Sequence, residues 1–156
     1  MAESSTTGQM TSLTMFETRE IRFTVDGYAA TKEMADHGDH YESDKFLVGR
    51  YDWAVRYYPN NDGSHVSVTL VLLTTPKDGD LLVGTRFTCA IQERQGNPSA
   101  ETHACTSYVF SEYGNEKGFW RFLTHDALEG SDYIVDDCFT LVCTVSVLKK
   151  PQPSRV

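Results

Sequence analysis

Residues 139–147 read FTLVCTVSV, and this stretch decides the fold. Apolar residues occupy its odd positions, while three of the four even positions hold Thr or Ser. Successive side chains of a β-strand point to opposite faces, so a period of two predicts a strand with one face on a core. The residues predicted to be buried are Phe139, Leu141, Cys143, Val145 and Val147.

The same period recurs through most of the chain. The alternating apolar residues that mark further strands are Ile21, Phe23 and Val25; Phe46 and Val48; Trp53, Val55 and Tyr57; Val66, Val68, Leu70 and Leu72; Phe87, Cys89 and Ile91; Tyr108 and Phe110. Turn-forming sequences separate these runs at 60–63 (NNDG), 77–80 (KDGD) and 95–98 (QGNP). Seven or eight short strands with such turns predict an all-β antiparallel sandwich. One short helical segment is predicted at about 120–128.

Length and charge bound the function. A chain of 156 residues fits one domain, which we place at 18–149, after a flexible segment at 1–17 and before a linker stub at 150–156. The net charge of −8 argues against nucleic acid and anionic membranes as partners, because both bind mainly through Lys and Arg. The sequence shows neither a signal peptide nor a membrane-spanning stretch, so we expect an intracellular protein of the nucleus or cytoplasm.

Two side-chain groups invite a catalytic interpretation. Asp36, His37, Asp39 and His40 could bind zinc, but they lie in a predicted loop that does not hold their geometry, so a solvated loop is favoured. His125 and Asp126 suggest a thiol hydrolase with Cys105 or Cys138 as nucleophile. A short helix capped by Thr124 or Asp126, with His125 exposed, is the favoured alternative. We therefore expect no enzyme, no metal and no cofactor, and four reduced thiols.

Four segments in order carry a family resemblance: 23–28 (FTVDGY), 46–53 (FLVGRYDW), 114–122 (GNEKGFWRF) and 136–147 (DDCFTLVCTVSV). Together they resemble the MATH (TRAF-like) domain, and most closely that of plant MATH–BTB proteins. The resemblance covers about residues 19–148. It implies an eight-stranded antiparallel sandwich and a protein-binding function without catalysis.

The resemblance also implies a peptide-binding groove. In the animal speckle-type POZ protein, an extended Ser/Thr-rich peptide lies in a shallow groove lined by aromatic side chains. The corresponding residues here are Thr69, Phe87, Tyr108, Asn115, Glu116, Lys117, Gly118 and Phe119. Phe87, Tyr108, Gly118 and Phe119 match the family pattern, although strand alternation equally allows Phe87 to be a core residue. Thr69 and Lys117 replace a Tyr and a Trp, which would change or weaken the preference for peptide.

In MATH–BTB proteins the MATH domain captures a substrate protein, such as a transcription factor, and the BTB domain docks a cullin scaffold for ubiquitin transfer. The resemblance therefore implies a substrate-recognition module of a cullin-RING ligase adaptor. No BTB domain lies within these 156 residues, so cullin is expected only through a BTB domain outside this chain. The alternative is a MATH-only scaffold or decoy that binds partners without recruiting a ligase.

Overall fold

The computed structural model describes residues 15–77 and 82–150. The strands are β1 (Met15–Asp26), β2 (Tyr41–Glu42), β3 (Phe46–Val48), β4 (Tyr51–Tyr58), β5 (His65–Leu72), β6 (Val83–Ile91), β7 (Ala104–Phe110), β8 (Glu116–Thr124) and β9 (Cys138–Leu148). Two short helices, α1 (Tyr28–Met34) and α2 (His125–Glu129), complete the described part of the chain. Most of the predicted flexible segment, most of the predicted turn at 77–80, and the linker beyond residue 150 lie outside these residues.

Two antiparallel sheets form the fold. The first has the strand order β1-β9-β6-β7, and the second has the order β2-β4-β5-β8 with β3 also paired to β4. The register places Phe23 opposite Leu141 and Val25 opposite Phe139, so predicted core residues share one face of the first sheet. The strands β7 and β8 are the edges on one side of the sandwich, and β1 and β2 lie toward the other.

The core lies between the sheets and contains the residues that the alternation predicted. Trp53 of the second sheet is fully buried and meets Phe110 of the first sheet edge-on, with ring centroids 5.1 Å apart. The indole nitrogen of Trp53 donates to Val48 O at 3.1 Å, so its polar atom is satisfied inside the core. Gly49 has φ 60°, and an added Cβ would lie 2.6 Å from Val147, which explains the glycine that ends β3.

The all-β antiparallel sandwich is confirmed, with eight strands of three or more residues and the two-residue β2. β1 begins at Met15, which places three residues of the predicted N-terminal segment inside a strand. The helix α1 was not predicted, because Tyr28 is its only buried residue and a single apolar contact produces no helical period.

The predicted helix at 120–128 is wrong in extent. The strand β8 runs to Thr124, and only His125–Glu129 is helical. The register between β5 and β8 is irregular, since Val68 lies opposite Phe119 whereas Val66 lies opposite Leu123. This irregularity brings Phe122 into the core three residues after Phe119, and that spacing imitates a helical period.

No helix among residues 15–77 and 82–150 is long and apolar enough to cross a membrane.

Candidate functional site

The candidate site lies on the side of the sandwich where β7 and β8 run. Within the described residues, β7 pairs only with β6 and β8 pairs only with β5, so each strand has one edge free of strand partners. The hydroxyl of Tyr108 on β7 donates to Gly118 O on β8 at 2.8 Å. This hydrogen bond joins the two sheets on the side where the edges of β7 and β8 lack strand partners among the described residues. We call this the open side of the sandwich.

Strand alternation divides the predicted groove residues between two faces. Lys117 lies opposite Leu70 and Phe119 opposite Val68, so both belong to the face that looks toward the first sheet. Gly118 lies opposite Thr69, on the outer face of the second sheet. The eight residues therefore do not line one continuous surface.

The burial of the inward-facing aromatic residues decreases from the core toward the open side. Phe87 is fully buried and stacks on Phe119, with ring centroids 5.4 Å apart and an interplanar angle of 12°. Phe119 and Tyr108 are half-buried, and Lys117 Nζ lies 5.9 Å from the centre of the Phe110 ring. Phe87 is thus a core residue in this structure, whereas Tyr108, Lys117 and Phe119 are within reach of a molecule approaching the open side.

Gly118 is required by the neighbouring strand. A Cβ at this position would lie 2.5 Å from both Thr69 Cα and Val68 O, and backbone atoms in a sheet cannot yield. The space beside Gly118 is therefore occupied by the backbone of β5 and is not open to a ligand.

On the outer face, Glu116 is the centre of a polar network. Its carboxylate accepts hydrogen bonds from Thr69 Oγ1 at 2.6 Å, from Arg56 Nη1 at 2.8 Å and from the hydroxyl of Tyr58. Arg56 Nε also donates to Glu42 Oε1 at 2.8 Å. Burial, reinforced by the hydrogen bond to Glu116, raises the pKa of Tyr58 to about 12, so this hydroxyl remains a donor at neutral pH.

Three members of this network, Glu42, Arg56 and Tyr58, were not among the predicted site residues. Arg56 lies between the predicted inward residues Val55 and Tyr57, and Tyr58 follows Tyr57, so both occupy outward positions of β4. A cationic side chain directly between the apolar residues Val55 and Tyr57 was the available signal, because such a charge needs a partner when it is partly buried.

Thr69 is fully buried although it faces away from the core. Its hydroxyl is bonded to Glu116, and β5 as a whole is buried on both faces. Thr69 therefore faces outward without being exposed, and a buried threonine that is already hydrogen-bonded does not form an open groove wall.

Trp120 supplies an exposed aromatic surface beside the network. Its side chain is 43% exposed, and its ring lies 5.1 Å from that of Tyr58. Trp120 therefore lies on the outer face while Phe119 packs inward against Phe87, as expected for consecutive strand residues. The backbone carbonyl of Trp120 accepts from Ser67 Oγ at 2.6 Å, which holds β8 against β5 at the irregular register.

Asn115 shapes the turn between β7 and β8. Its Oδ1 accepts from Ser111 N at 2.9 Å and from Glu112 N at 3.2 Å. Its side chain therefore stabilises the turn that presents Glu116 and Lys117.

His125 and Cys138, two of the residues considered for catalysis, form hydrogen bonds elsewhere, whereas Cys105 is exposed. His125 is half-buried rather than exposed, and its Nε2 donates to Pro59 O at 2.8 Å. Cys138 donates to Asp26 Oδ1 at 3.0 Å, and this hydrogen bond raises the pKa of its thiol, the opposite of what activates a nucleophile. Thr124 caps α2 by accepting from Ala127 N at 3.0 Å, as one of the predicted alternatives stated.

Cys89 and Cys143 lie directly opposite each other on β6 and β9, with their sulfurs 3.5 Å apart in the core. Burial raises the pKa of the Cys89 thiol, which favours its neutral form in the core.

The loop at 36–40 is held by local hydrogen bonds. His37 Nδ1 donates to Asn61 O at 2.6 Å, and Asp39 Oδ2 accepts from Asp36 N at 2.8 Å. The described part of the chain contains no group of three or more His, Cys, Asp or Glu residues arranged to hold a metal ion.

Comparison with known proteins shows which family this sandwich resembles. A MATH domain family model matches residues 20–145. BTB/POZ and MATH domain-containing protein 3 of Arabidopsis thaliana is 31% identical over 140 residues, which cover 82% of this chain and 33% of that protein. BTB/POZ and MATH domain-containing protein 6 of the same organism is 30% identical over 149 residues, which cover 88% of this chain and 35% of that protein. The chain spans about a third of the length of these relatives.

Two antiparallel sheets pack around one core, and the MATH family model matches nearly all of the residues that form them. Together these observations define a TRAF-like β-sandwich domain. The chain belongs to the MATH domain family.

Proposed function

We propose that this chain is a substrate-recognition module that captures an extended peptide segment of another protein at the open side between β7 and β8. The observation that carries the proposal is the pair of strand edges there, with half-buried Tyr108, Lys117 and Phe119 between them. A peptide can add its backbone hydrogen bonds to such an edge while its side chains enter shallow pockets.

The chemistry of the site favours a polar peptide with an apolar anchor. Phe119 and Tyr108 offer apolar contact, Lys117 offers a cation, and the Ser/Thr-rich class expected from the family would supply hydroxyl groups. A shallow site of this size binds on the order of micromolar, or about −8 kcal/mol. Replacement of the family's Tyr and Trp by Thr69 and Lys117 supports a preference different from that of the animal relative.

The module would act within a larger ligase adaptor of the nucleus or cytoplasm. The names of the Arabidopsis relatives join a MATH domain to BTB/POZ, and this chain matches a third of their length. In the proposed arrangement, the BTB domain recruits a cullin and pairs two recognition domains, which raises avidity without new contacts. The chain itself performs no chemistry in this scheme.

Peptide titration tests the site. A Tyr108→Ala, Phe119→Ala double variant should bind a Ser/Thr-rich peptide at least about tenfold more weakly than wild type, as measured by fluorescence anisotropy. The matched control is a Leu47→Ala, Val135→Ala double variant, since both of these apolar side chains are exposed and neither lies on β7 or β8. The control should bind as wild type does.

Phe119→Ala also removes the ring that stacks on Phe87, so the double variant can lose binding because it loses stability. A second variant separates a lost peptide contact from lost stability. Lys117→Glu changes a half-buried cation at the open side and should weaken binding while the circular dichroism spectrum and melting temperature stay unchanged. Wild-type affinity in both the double variant and Lys117→Glu would show that the peptide binds elsewhere.

Ligase recruitment is tested separately with the full-length gene product. Co-precipitation of a cullin, and its loss when the BTB region is deleted, are the expected results. A full-length protein that binds its target peptide but no cullin would favour a scaffold or decoy instead.

A further inference from the structure

The strand β1 is the longest strand of the described structure and forms one edge of the first sheet. It runs over 12 residues, Met15–Asp26, and among the described residues it pairs only with β9. From Glu17 to Asp26 its register with β9 is regular, and this stretch contains no proline. A long, regular edge presents a row of backbone N–H and C=O groups to which another strand can add.

The core is incompletely covered beneath this edge. Ile21 and Phe23 pack against the core but remain half-buried. A pocket of about 140 Å³ lies beside Phe23 and is lined by residues of β1, α1, β2 and β4. A strand that extends the first sheet here would therefore gain apolar contacts as well as backbone hydrogen bonds.

The charges along this edge are balanced, unlike those of the whole chain. Residues 17–25 (ETREIRFTV) carry two carboxylates, Glu17 and Glu20, and two guanidinium groups, Arg19 and Arg22, whereas the chain has a net charge of −8. Strand alternation puts Glu20 and Arg22 together on the outer face, where they form an ion pair at 3.2 Å. An edge with both signs of charge in alternation can pair with a copy of itself without net repulsion.

We propose that β1 is an interface with a second copy of this chain, in which two β1 strands pair antiparallel about a two-fold axis at Ile21. Glu20 of each copy then lies opposite Arg22 of the other copy, and Thr18 lies opposite Thr24. Identical strands paired in this way form a closed interface, in which the same surface is used on both sides. The first sheets of the two copies become one continuous sheet.

Like charges disfavour the neighbouring registers. An axis at Arg19, Glu20 or Arg22 would put two copies of the same charged residue directly opposite each other, which is destabilising. An axis at Phe23 would put Glu20 opposite Asp26. With the axis at Ile21, each Glu20 carboxylate lies between the guanidinium group of its own Arg22 and that of the second copy, so the ion pair already present need not be broken.

The inner face of this register is also complementary. Ile21 would meet its counterpart at the axis, and Arg19 would lie over the half-buried ring of Phe23 in the second copy. Arg19 is exposed, and its Nη1 donates to Leu47 O at 3.4 Å, a long and therefore weak hydrogen bond. An aromatic ring accepts both the aliphatic stem and the charge of an arginine.

The interface lies on the opposite side of the sandwich from β7 and β8, so it leaves the proposed peptide site of each copy free. The pairing therefore does not rest on the proposed function. Two linked copies would bind a target that carries two recognised segments with raised avidity, without new contacts.

Sedimentation equilibrium of the full chain tests the pairing. The wild type should pass from monomer to dimer, with half of the chains paired at a concentration on the order of 100 µM, as expected for a small interface. Amide hydrogen exchange in β1 should slow as the concentration rises, because its free edge becomes hydrogen-bonded. A mass that stays that of the monomer up to millimolar concentration would overturn the proposal.

Charge reversal tests the register. Glu20→Arg places like charges opposite each other at two positions of the interface and should raise the concentration for half-pairing at least about tenfold. Adding Arg22→Glu to Glu20→Arg restores opposite charges and should restore pairing. The matched control is Glu101→Arg, which makes the same change of charge between β6 and β7 and should pair as wild type does.

The variants also separate pairing from stability. Arg22 donates to Gln92 Oε1 at 2.6 Å and to Gly96 O at 2.7 Å, and Glu20→Arg leaves both hydrogen bonds in place. Its melting temperature in dilute solution and its affinity for a Ser/Thr-rich peptide should therefore equal those of wild type, which distinguishes a failure here from a failure of the peptide site. Pairing of Glu20→Arg as strong as that of wild type would show that the chains associate elsewhere and would overturn the proposal.

Discussion

At the scale of single residues, Gly118 shows how a position can match a family pattern for a reason other than ligand binding. The family resemblance implies a peptide groove at this position, whereas the structure places Thr69 Cα and Val68 O where its side chain would be. A glycine in a strand interior weakens the strand unless close approach requires it, and here the approaching backbone is that of β5.

Gly118→Ala should therefore be destabilising by about 1–3 kcal/mol, because overpacking against backbone atoms forces the strands apart. The matched control is Gly84→Ala on β6, where the added Cβ would meet Leu148 at an ordinary 3.5 Å. We expect the control to be neutral or slightly stabilising, as replacing a strand glycine by alanine lowers the entropy of the unfolded chain. Urea denaturation of both variants measures the difference, and equal free energies of unfolding would contradict this explanation.

At the scale of elements, β8 and α2 form one continuous segment that changes from strand to helix at Thr124. The extended conformation of Thr124, at φ −71° and ψ 152°, allows its hydroxyl to accept from Ala127 N. Leu128 is then buried against the core, and Ser131 closes the end by donating from its hydroxyl to Leu128 O. A five-residue helix cannot persist alone, so the cap and this buried side chain hold it.

Thr124→Ala should cost about 1 kcal/mol of stability, since it removes the N-cap acceptor. Thr75→Ala is a suitable control, because Thr75 is exposed and lies outside the helices and strands. Thermal unfolding should show a lower melting temperature for Thr124→Ala only. A melting temperature equal to that of the control would mean that the cap contributes nothing to α2.

At the scale of the whole molecule, the two sides of the sandwich differ. On the β7–β8 side the sheets are linked by the hydrogen bond from Tyr108 to Gly118 O, with Phe119 packed behind it. On the β1–β2 side a pocket with an unpaired buried hydroxyl remains between the elements. The strand edges on the β7–β8 side carry the proposed peptide site, and the pocket on the β1–β2 side shares no residue with it.

Tyr108→Phe should lower the free energy of unfolding by about 1 kcal/mol, because it removes one intramolecular hydrogen bond. It should also speed amide hydrogen exchange in β8, which loses its link to the first sheet. Tyr113→Phe is the control, since that side chain is 61% exposed. Exchange in β8 that is equally fast in the two variants would show that the link does not hold the open side together.

The sequence by itself determined the sandwich, its inward residues and its family. These depend on strand alternation and on the order of segments, which are local properties of the chain: Phe139, Leu141 and Cys143 are buried as the period of two requires. The same rule accounts for Phe119 and Trp120 facing opposite sides of β8.

Only the tertiary structure decided what the candidate site contains. The burial of Thr69 depends on Glu116, which is 47 residues away in sequence, and the assignment of Phe87 to the core depends on Phe119 in the other sheet. The network of Arg56, Tyr58 and Glu116 and the pocket beside Tyr57 likewise join strands that are distant in the chain. Such contacts are set by strand order and register between segments, and local periodicity carries no information about either.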